Sequence, residues 1–225
     1  MTPDELIRHY PRVYHMANTD TWESIRQIGL LSTTALLDLC GIGGEQRYKI
    51  ESCHRTRSVE IPHPERGTII IRDQAPMRES VLARCLDGIG LRQWFELLNR
   101  KAFFWVTEAR VRTLLGARLY RDHEHTVITV DTASLLGAHA DHITLSSINS
   151  GNTLYNPPKR GHYTFRSIEE YPFEERRRRR GIGNAVVELA VDYSVPDLSA
   201  YAVLVERRRC ADILQNLFSR QGGPG

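Results

Sequence analysis

A chain of 225 residues is long enough to bury one sizeable core, and its 41% hydrophobic and 25% charged residues are ordinary globular usage, which excludes a disordered or fibrous chain. A formal charge of +3 is too small to identify a nucleic-acid binder, so where the basic residues cluster matters more than their sum. No apolar run approaches the roughly 18 residues that span a bilayer, and the opening Met-Thr-Pro-Asp-Glu-Leu-Ile-Arg lacks the order of a secretory signal; the expectation is a single domain over residues 1–225, cytoplasmic, monomeric and without a membrane partner.

Thr2-Pro3-Asp4-Glu5 holds the N-cap, the N1 proline and the N3 glutamate of a capping box, predicting a helix over residues 3–9. Pro11 then turns the chain into a strand over residues 13–17. Asp20-Thr21-Trp22-Glu23 repeats the capping arrangement, Ile25 and Ile28 share a face, and Gly29 is the expected left-handed stop. Ser32 or Thr33 caps a further helix through Leu39, after which Gly41, Gly43 and Gly44 open a polar, basic stretch that ends near Arg57. Residues 59–61 and 68–72 read as a strand pair joined by a longer loop.

Residues 78–86 and 91–98 carry apolar residues at helical spacing, and Ala-Phe-Phe-Trp-Val at 102–106 reads as a buried strand. Thr107 caps a helix over residues 108–120; a β-branched strand follows at 125–131, then one helical turn at 134–136. Residues 146–165 form a long irregular segment, of a length that is usually functional or mobile. Strands are expected at 184–192 and 201–206, around Pro196, and a closing helix at 210–218. Helices dominate the first half and strands recur throughout, which is the pattern of an α+β fold. Cys40, Cys53, Cys85 and Cys210 are scattered without a C-x-x-C pair, so reduced, mostly buried thiols and no metal site are expected.

Three polar residues interrupt apolar strands. His15 sits in Tyr-His-Met-Ala-Asn, Arg72 ends Ile70-Ile71-Arg72, and Glu188 lies within Val186-Val187-Glu188-Leu189-Ala190-Val191. Each has an ordinary reading. A strand histidine is more often packed in a core, and a strand-end arginine often pairs with a carboxylate nearby. Glu188 can occupy the wet face of a half-buried strand whose dry face holds Val187 and Leu189; buried, its charge is costly unless it is paired or faces a cleft.

The strong charge block is Arg176, Arg177, Arg178, Arg179 and Arg180, partly offset by Glu174 and Glu175. A solvated helix face or loop is the default, and contact with phosphates, with steep salt dependence, is the alternative. Tyr155, Lys159, Arg160, His162 and Tyr163 add aromatics and cations just before it, the chemistry of single-strand capture.

The order of His15, Arg72, the aromatic strand Phe103-Phe104-Trp105, and Glu188 in Val-Glu-Leu-Ala-Val-Asp-Tyr-Ser-Val-Pro resembles the DarT-type ADP-ribosyltransferases, toxins of the NAD-dependent transferase superfamily. His15, Asn18, Gly29 and Leu30 match that family's His-x-x-Asn strand end and the Gly-Leu pair after its helix, and Pro196 matches the proline beyond its catalytic strand. The interval from Asn18 to Gly29 is about a turn longer than is usual there, and the segment between Arg72 and Phe103, which opens Asp73-Gln74-Ala75-Pro76-Met77, is not matched to the family's.

The resemblance implies a split β-sheet core with flanking helices, NAD as substrate, and a nucleic-acid acceptor, either DNA or RNA, with an antitoxin protein as a further partner. It makes Glu188 and Arg72 catalytic, Glu188 as a carboxylate steadying the oxocarbenium-like sugar formed as nicotinamide leaves. Arg72 would pair with the pyrophosphate, or help remove a proton from the acceptor; a guanidinium is rarely deprotonated, which favours the first. His15 would bind a ribose and the backbone of Met16 and Ala17 the nicotinamide amide, with Asn18, Gly29 and Trp105 completing the cofactor site. Two other functions fit the same residues: a noncatalytic nucleotide- or RNA-binding module, and an NAD-dependent RNA 2'-phosphotransferase, which would need several basic residues in its pocket.

Overall fold

The computed structural model describes residues 1–154 and 156–220. Helix α1 (Pro3–His9) is closed by a complete capping box: Glu5 N–H donates to Thr2 Oγ1 at 3.2 Å and Thr2 N–H to Glu5 Oε2 at 2.8 Å. Strand β1 (Arg12–Asn18) leads into α2 (Trp22–Ile28), whose N-cap Thr21 makes no capping bond and instead donates its hydroxyl to Asn18 O at 2.7 Å. Short β2 (Leu30–Leu31) follows, then α3 (Thr33–Leu39), capped by Ser32, and α4 (Gly44–Arg47), which widens into a π-helical turn at Tyr48–Ser52. A separate hairpin, β3 (Val59–His63) and β4 (Gly67–Ile71), precedes α5 (Glu79–Cys85), α6 (Leu91–Asn99), β5 (Lys101–Trp105) and α7 (Glu108–Leu115).

The second half runs β6 (Glu124–Asp131), α8 (Thr132–His139), β7 (Ile143–Ser146), β8 (Arg166–Ser167), α9 (Phe173–Arg180) and α10 (Ile182–Ala185). It closes with β9 (Glu188–Asp192), β10 (Ser194–Val195), α11 (Leu198–Tyr201), β11 (Ala202–Arg209) and β12 (Asp212–Ser219). Eight strands form one sheet in the order β12-β11-β6-β1-β5-β9-β7-β8, every neighbour antiparallel. With helices flanking this sheet the fold is α+β. Among the described residues no helix is long and apolar enough to cross a membrane.

One joint in the sheet differs from the others. β1 and β6 stay in register over seven residue pairs, from Arg12↔Asp131 to Asn18↔His125, whereas β1 and β5 share only Tyr14↔Trp105. Beyond that pair the strands diverge and the sheet divides. On one face the main core packs Val13, Phe104, Leu189 and Val191. The other face is covered in two parts, α6 placing Trp94 and Phe95 near Ala190, and α7 placing Val111 and Leu115 on Met16 and Val127.

Several expectations are corrected. Residues 210–218 are not a closing helix: the chain reverses at Cys210 (φ 52°) and returns as β12 along β11. The spacing of Ile213, Leu214, Leu217 and Phe218 suits a helix, but the open edge of β11 offers a ladder of backbone partners, and Phe218 packs on Trp22 with ring centroids 5.7 Å apart. The strand expected from 184 begins only at Glu188, because residues 182–185 make the helical turn α10. The helix after Thr107 ends at Leu115, ahead of Gly116, and the single turn near 134 is the eight-residue α8. The four thiols are half-buried rather than buried, and none is in a disulfide.

Candidate active site

Where β1 leaves β5 its backbone groups lose their ladder, and side chains take over the pairing. His15 Nδ1 lies 2.8 Å from Phe103 O, spanning the gap between the strands. A carbonyl only accepts, so Nδ1 carries the proton and Nε2 is left as an acceptor. Burial pushes the imidazole down to about 4, helped by the charge of Arg72 and opposed by the Phe103 bond, so it is neutral near pH 7. Arg72, one residue past β4, donates Nη1–H to Met16 O at 2.8 Å and stacks over Tyr120, 5.2 Å from the ring centroid. It thereby satisfies a β1 carbonyl that a continuous sheet would have paired, and ties the β3–β4 hairpin to the opening.

Glu188 begins β9, beside Trp105 on β5 and Ser146 on β7. The wet-face expectation fails: the residue is 5% exposed, and Val187, Leu189 and Ala190 are buried with it. β9 lies inside the sheet, with Leu189 and Val191 against one core cluster and Ala190 against another, so residues 188–191 are enclosed on both faces and only Asp192 at the strand's end is exposed. Ser150 N–H donates to both carboxyl oxygens, at 3.1 and 3.2 Å. Burial raises the carboxyl to about 7, against the pull of Ser150, Arg160 and Arg110.

His15, Arg72 and Glu188 converge on one cavity of about 820 Å3, toward the large end of the range for small-molecule sites. Met16, Ala17, Asn18, Gly29 and Trp105 line it too. The register sets Tyr14, Trp105 and Glu188 on one face of the sheet, so His15 belongs to the other. A ligand that threads the split can therefore touch both. Gly29 has φ 83°, and a Cβ there would overlap Pro196 Cα, so only glycine lets α2 end against β10 at the cavity wall.

A further cavity residue escaped the sequence pattern. Arg55 is buried, and its guanidinium donates to Arg72 O at 2.6 Å, Ile50 O at 2.5 Å and Asn99 Oδ1 at 3.3 Å. Among the described residues neither Arg55 nor Arg72 has a carboxylate partner, and desolvation brings Arg55 down to about 10. Arg66, Lys101 and Arg118 also line the cavity. Arg55 stands in the polar stretch after Gly44, where charge reads as solvent exposure; nothing in its neighbours signalled burial.

The residues expected to meet nucleic acid do not join this cavity. α9 carries the arginine run as a largely solvated helix, in which Arg177 pairs with Glu174 and Arg179 with Glu175, while Arg180 donates to Ser147 O at 2.8 Å. Arg176 is half-buried and Arg178 exposed. Lys159 Nζ donates to Arg84 O at 2.9 Å. Arg160 is not the surface cation expected: it is fully buried, and its guanidinium braces the carbonyls of Pro158, Ser150 and Asn152 at 3.0 to 3.2 Å. His162 and Tyr163 are exposed; Tyr155 lies outside the described residues. No group of three or more His, Cys, Asp or Glu side chains suited to a metal occurs among the described residues.

A family model described as "Family of unknown function (DUF7002)" matches residues 11–202, which takes in His15, Arg72 and Glu188. No curated protein and no solved structure matches the chain.

Proposed function

The chain belongs to the DUF7002 family of unknown function, and we propose that it is an NAD-dependent ADP-ribosyltransferase of DarT-like kind acting on a nucleic acid. One observation carries the reading: a buried carboxyl, a neutral histidine and cations without carboxylate partners line one cavity in the split of the sheet. These residues fit NAD chemically. Arg55 and Arg72 suit a pyrophosphate, His15 Nε2 suits a ribose hydroxyl, and Glu188 suits a sugar that gains positive charge.

Bound NAD would supply an ADP-ribosyl group whose nicotinamide leaves neutral, so no general acid is needed and one carboxylate suffices. Glu188 acts as that carboxylate, fixed by Ser150 N–H and desolvated, where its charge is worth far more than in water. With its carboxyl near 7, it is about half protonated at neutral pH, and a cationic ring beside it favours the charged form. Arg72 positions the end of β1 through Met16 O while offering its other donors to the ligand.

The test is transfer from labelled NAD to mixed DNA, RNA and protein acceptors. Glu188→Ala is expected to lower transfer by about 100-fold or more while NAD still raises the melting temperature. Equal transfer by the variant would overturn the assignment. A second reading, removal of a 2'-phosphate from RNA, is favoured by the number of cations at the cavity without a carboxylate partner among the described residues, Arg55, Arg66, Arg72 and Arg118; Lys101, also at the cavity, is paired with Asp192. On that reading a 2'-phosphorylated RNA loses its phosphate in the presence of NAD, and Arg55→Gln impairs the loss more than Glu188→Ala does. Absence of any NAD effect on melting would favour the noncatalytic binding module over both.

A further inference from the structure

Behind Glu188, across the loop of residues 149–152, lies a second cleft of about 680 Å3. Asn149 and Asn152 line both cavities, so the loop is the wall between them. Three arginines line the cleft, Arg110 from α7, Arg160 from the loop before β8, and Arg180 at the end of α9. No described carboxylate lines it, and none of the three takes part in an ion pair among the described residues.

The donors of these arginines are incompletely used. Arg160 is fully buried, its guanidinium 5.9 Å from the Trp94 ring centroid; its Nε and Nη1 are spent on backbone carbonyls, but Nη2 has no hydrogen-bond partner among the described residues. Arg110 gives Nη2–H to Asn184 Oδ1 at 2.7 Å, and its buried Nε is also without a partner. Burial pulls both guanidinium groups below their ordinary pKa. An unpaired N–H on a buried cation is costly, and the planar guanidinium fork matches an oxyanion better than any neutral group does. The cleft opens to solvent past Asn156, Arg180 and Asn184, all exposed, and Arg180 continues it onto the basic face of α9.

We propose that Arg110, Arg160 and Arg180 form an oxyanion site that takes one backbone phosphate of a single-stranded nucleic-acid acceptor; the identity of that acceptor rests on the transferase reading above. The site is coupled to the catalytic cavity through one residue. Ser150 donates its N–H to Glu188 and accepts from Arg160 at its carbonyl, so the phosphate-binding guanidinium and the catalytic carboxyl hold opposite ends of the same short segment. The acceptor strand would then lie along α9 and the cleft, one loop away from the sugar to be transferred.

The test is fluorescence anisotropy of a labelled single-stranded oligonucleotide, without NAD, over salt from about 50 to 200 mM. The double variant Arg110→Gln with Arg180→Gln is expected to bind about tenfold more weakly, with a log–log salt slope smaller by about 0.7 for each phosphate that is no longer neutralised. The rise in melting temperature caused by NAD is expected to be unchanged, which shows that the variant is folded and that the other cavity is intact. Unchanged affinity and slope would overturn the site. As a readout free of mutation, inorganic phosphate should shift the Nε–H resonances of Arg110 and Arg160 in the wild-type protein; unshifted resonances at tens of millimolar phosphate also overturn it. Shifts by phosphate together with unimpaired oligonucleotide binding by the double variant would reject the nucleic-acid assignment. Because NAD is absent from the anisotropy and resonance measurements, failure of Glu188 as a catalytic residue leaves their outcome unaffected.

Discussion

Replacing Glu188 with glutamine should stabilise the protein at neutral pH while removing the proposed transfer activity. The carboxyl is 5% exposed, and burial lifts it from an ordinary 4.5 to about 7. At about 1.4 kcal/mol for each tenfold change in proton affinity, keeping it ionised in the folded state costs about 3 kcal/mol. The sign follows from proton counts. Below pH 4.5 the group is protonated in both states and the cost is absent. Between 4.5 and 7 the unfolded chain releases the proton first, so the native state holds more protons and stability falls as pH rises; above 7 the loss is complete.

His15 works in the opposite direction, because burial lowers it from 6.5 to about 4 and stability is lost as pH falls through that window. The wild-type profile between about 4.5 and 6.5 therefore partly cancels, and only a comparison isolates Glu188. Urea denaturation of wild type and Glu188→Gln at pH 5, 6, 7 and 8 should show the variant gaining on the wild type as pH rises, by up to about 3 kcal/mol. One acceptor for Ser150 N–H survives in glutamine, so the fold keeps that hydrogen bond. Parallel profiles for the two proteins would refute the argument that Glu188 is a desolvated carboxyl held against its own stability, and with it the physical basis for its proposed catalytic role.

Gly29→Ala meets both a φ of 83° and an overlap with Pro196 Cα; a loss of about 2 kcal/mol or more is expected by urea denaturation, and a loss near zero would show that α2 and β10 part freely. Arg72→Lys keeps the charge but loses the fork that reaches Met16 O, so NAD affinity by titration should fall by about tenfold; unchanged affinity removes Arg72 from the binding site. Neutralising Arg177, Arg178 and Arg179 should leave the melting temperature nearly unchanged, since exposed pairs with Glu174 and Glu175 contribute little. The same change should flatten the salt dependence of nucleic-acid binding, and an unaltered slope would make the run solvated surface alone.

Local chemistry was readable in the chain itself wherever a few neighbouring residues decide the outcome. Thr2 and Glu5 start α1, Ser32 starts α3, Gly29 ends α2, and the apolar run around Phe104 is a buried strand. The three polar residues that interrupt strands at 15, 72 and 188 could be singled out for the same reason, since a charge among apolar neighbours is visible without a fold. Their convergence could not. It depends on β1 parting from β5 after a single pair, and on β9 being enclosed from both faces, and neither is encoded within reach of Glu188. The burial of Arg55 and Arg160, each in a stretch that reads as solvent-facing, and the pairing of β12 with β11 are likewise settled by distant partners. Period, caps and stops act over one or two turns of chain, and so belong to the sequence; which strand edge is left open, and which cation is carried inside to line it, are decided only when segments far apart compete for the same backbone hydrogen bonds.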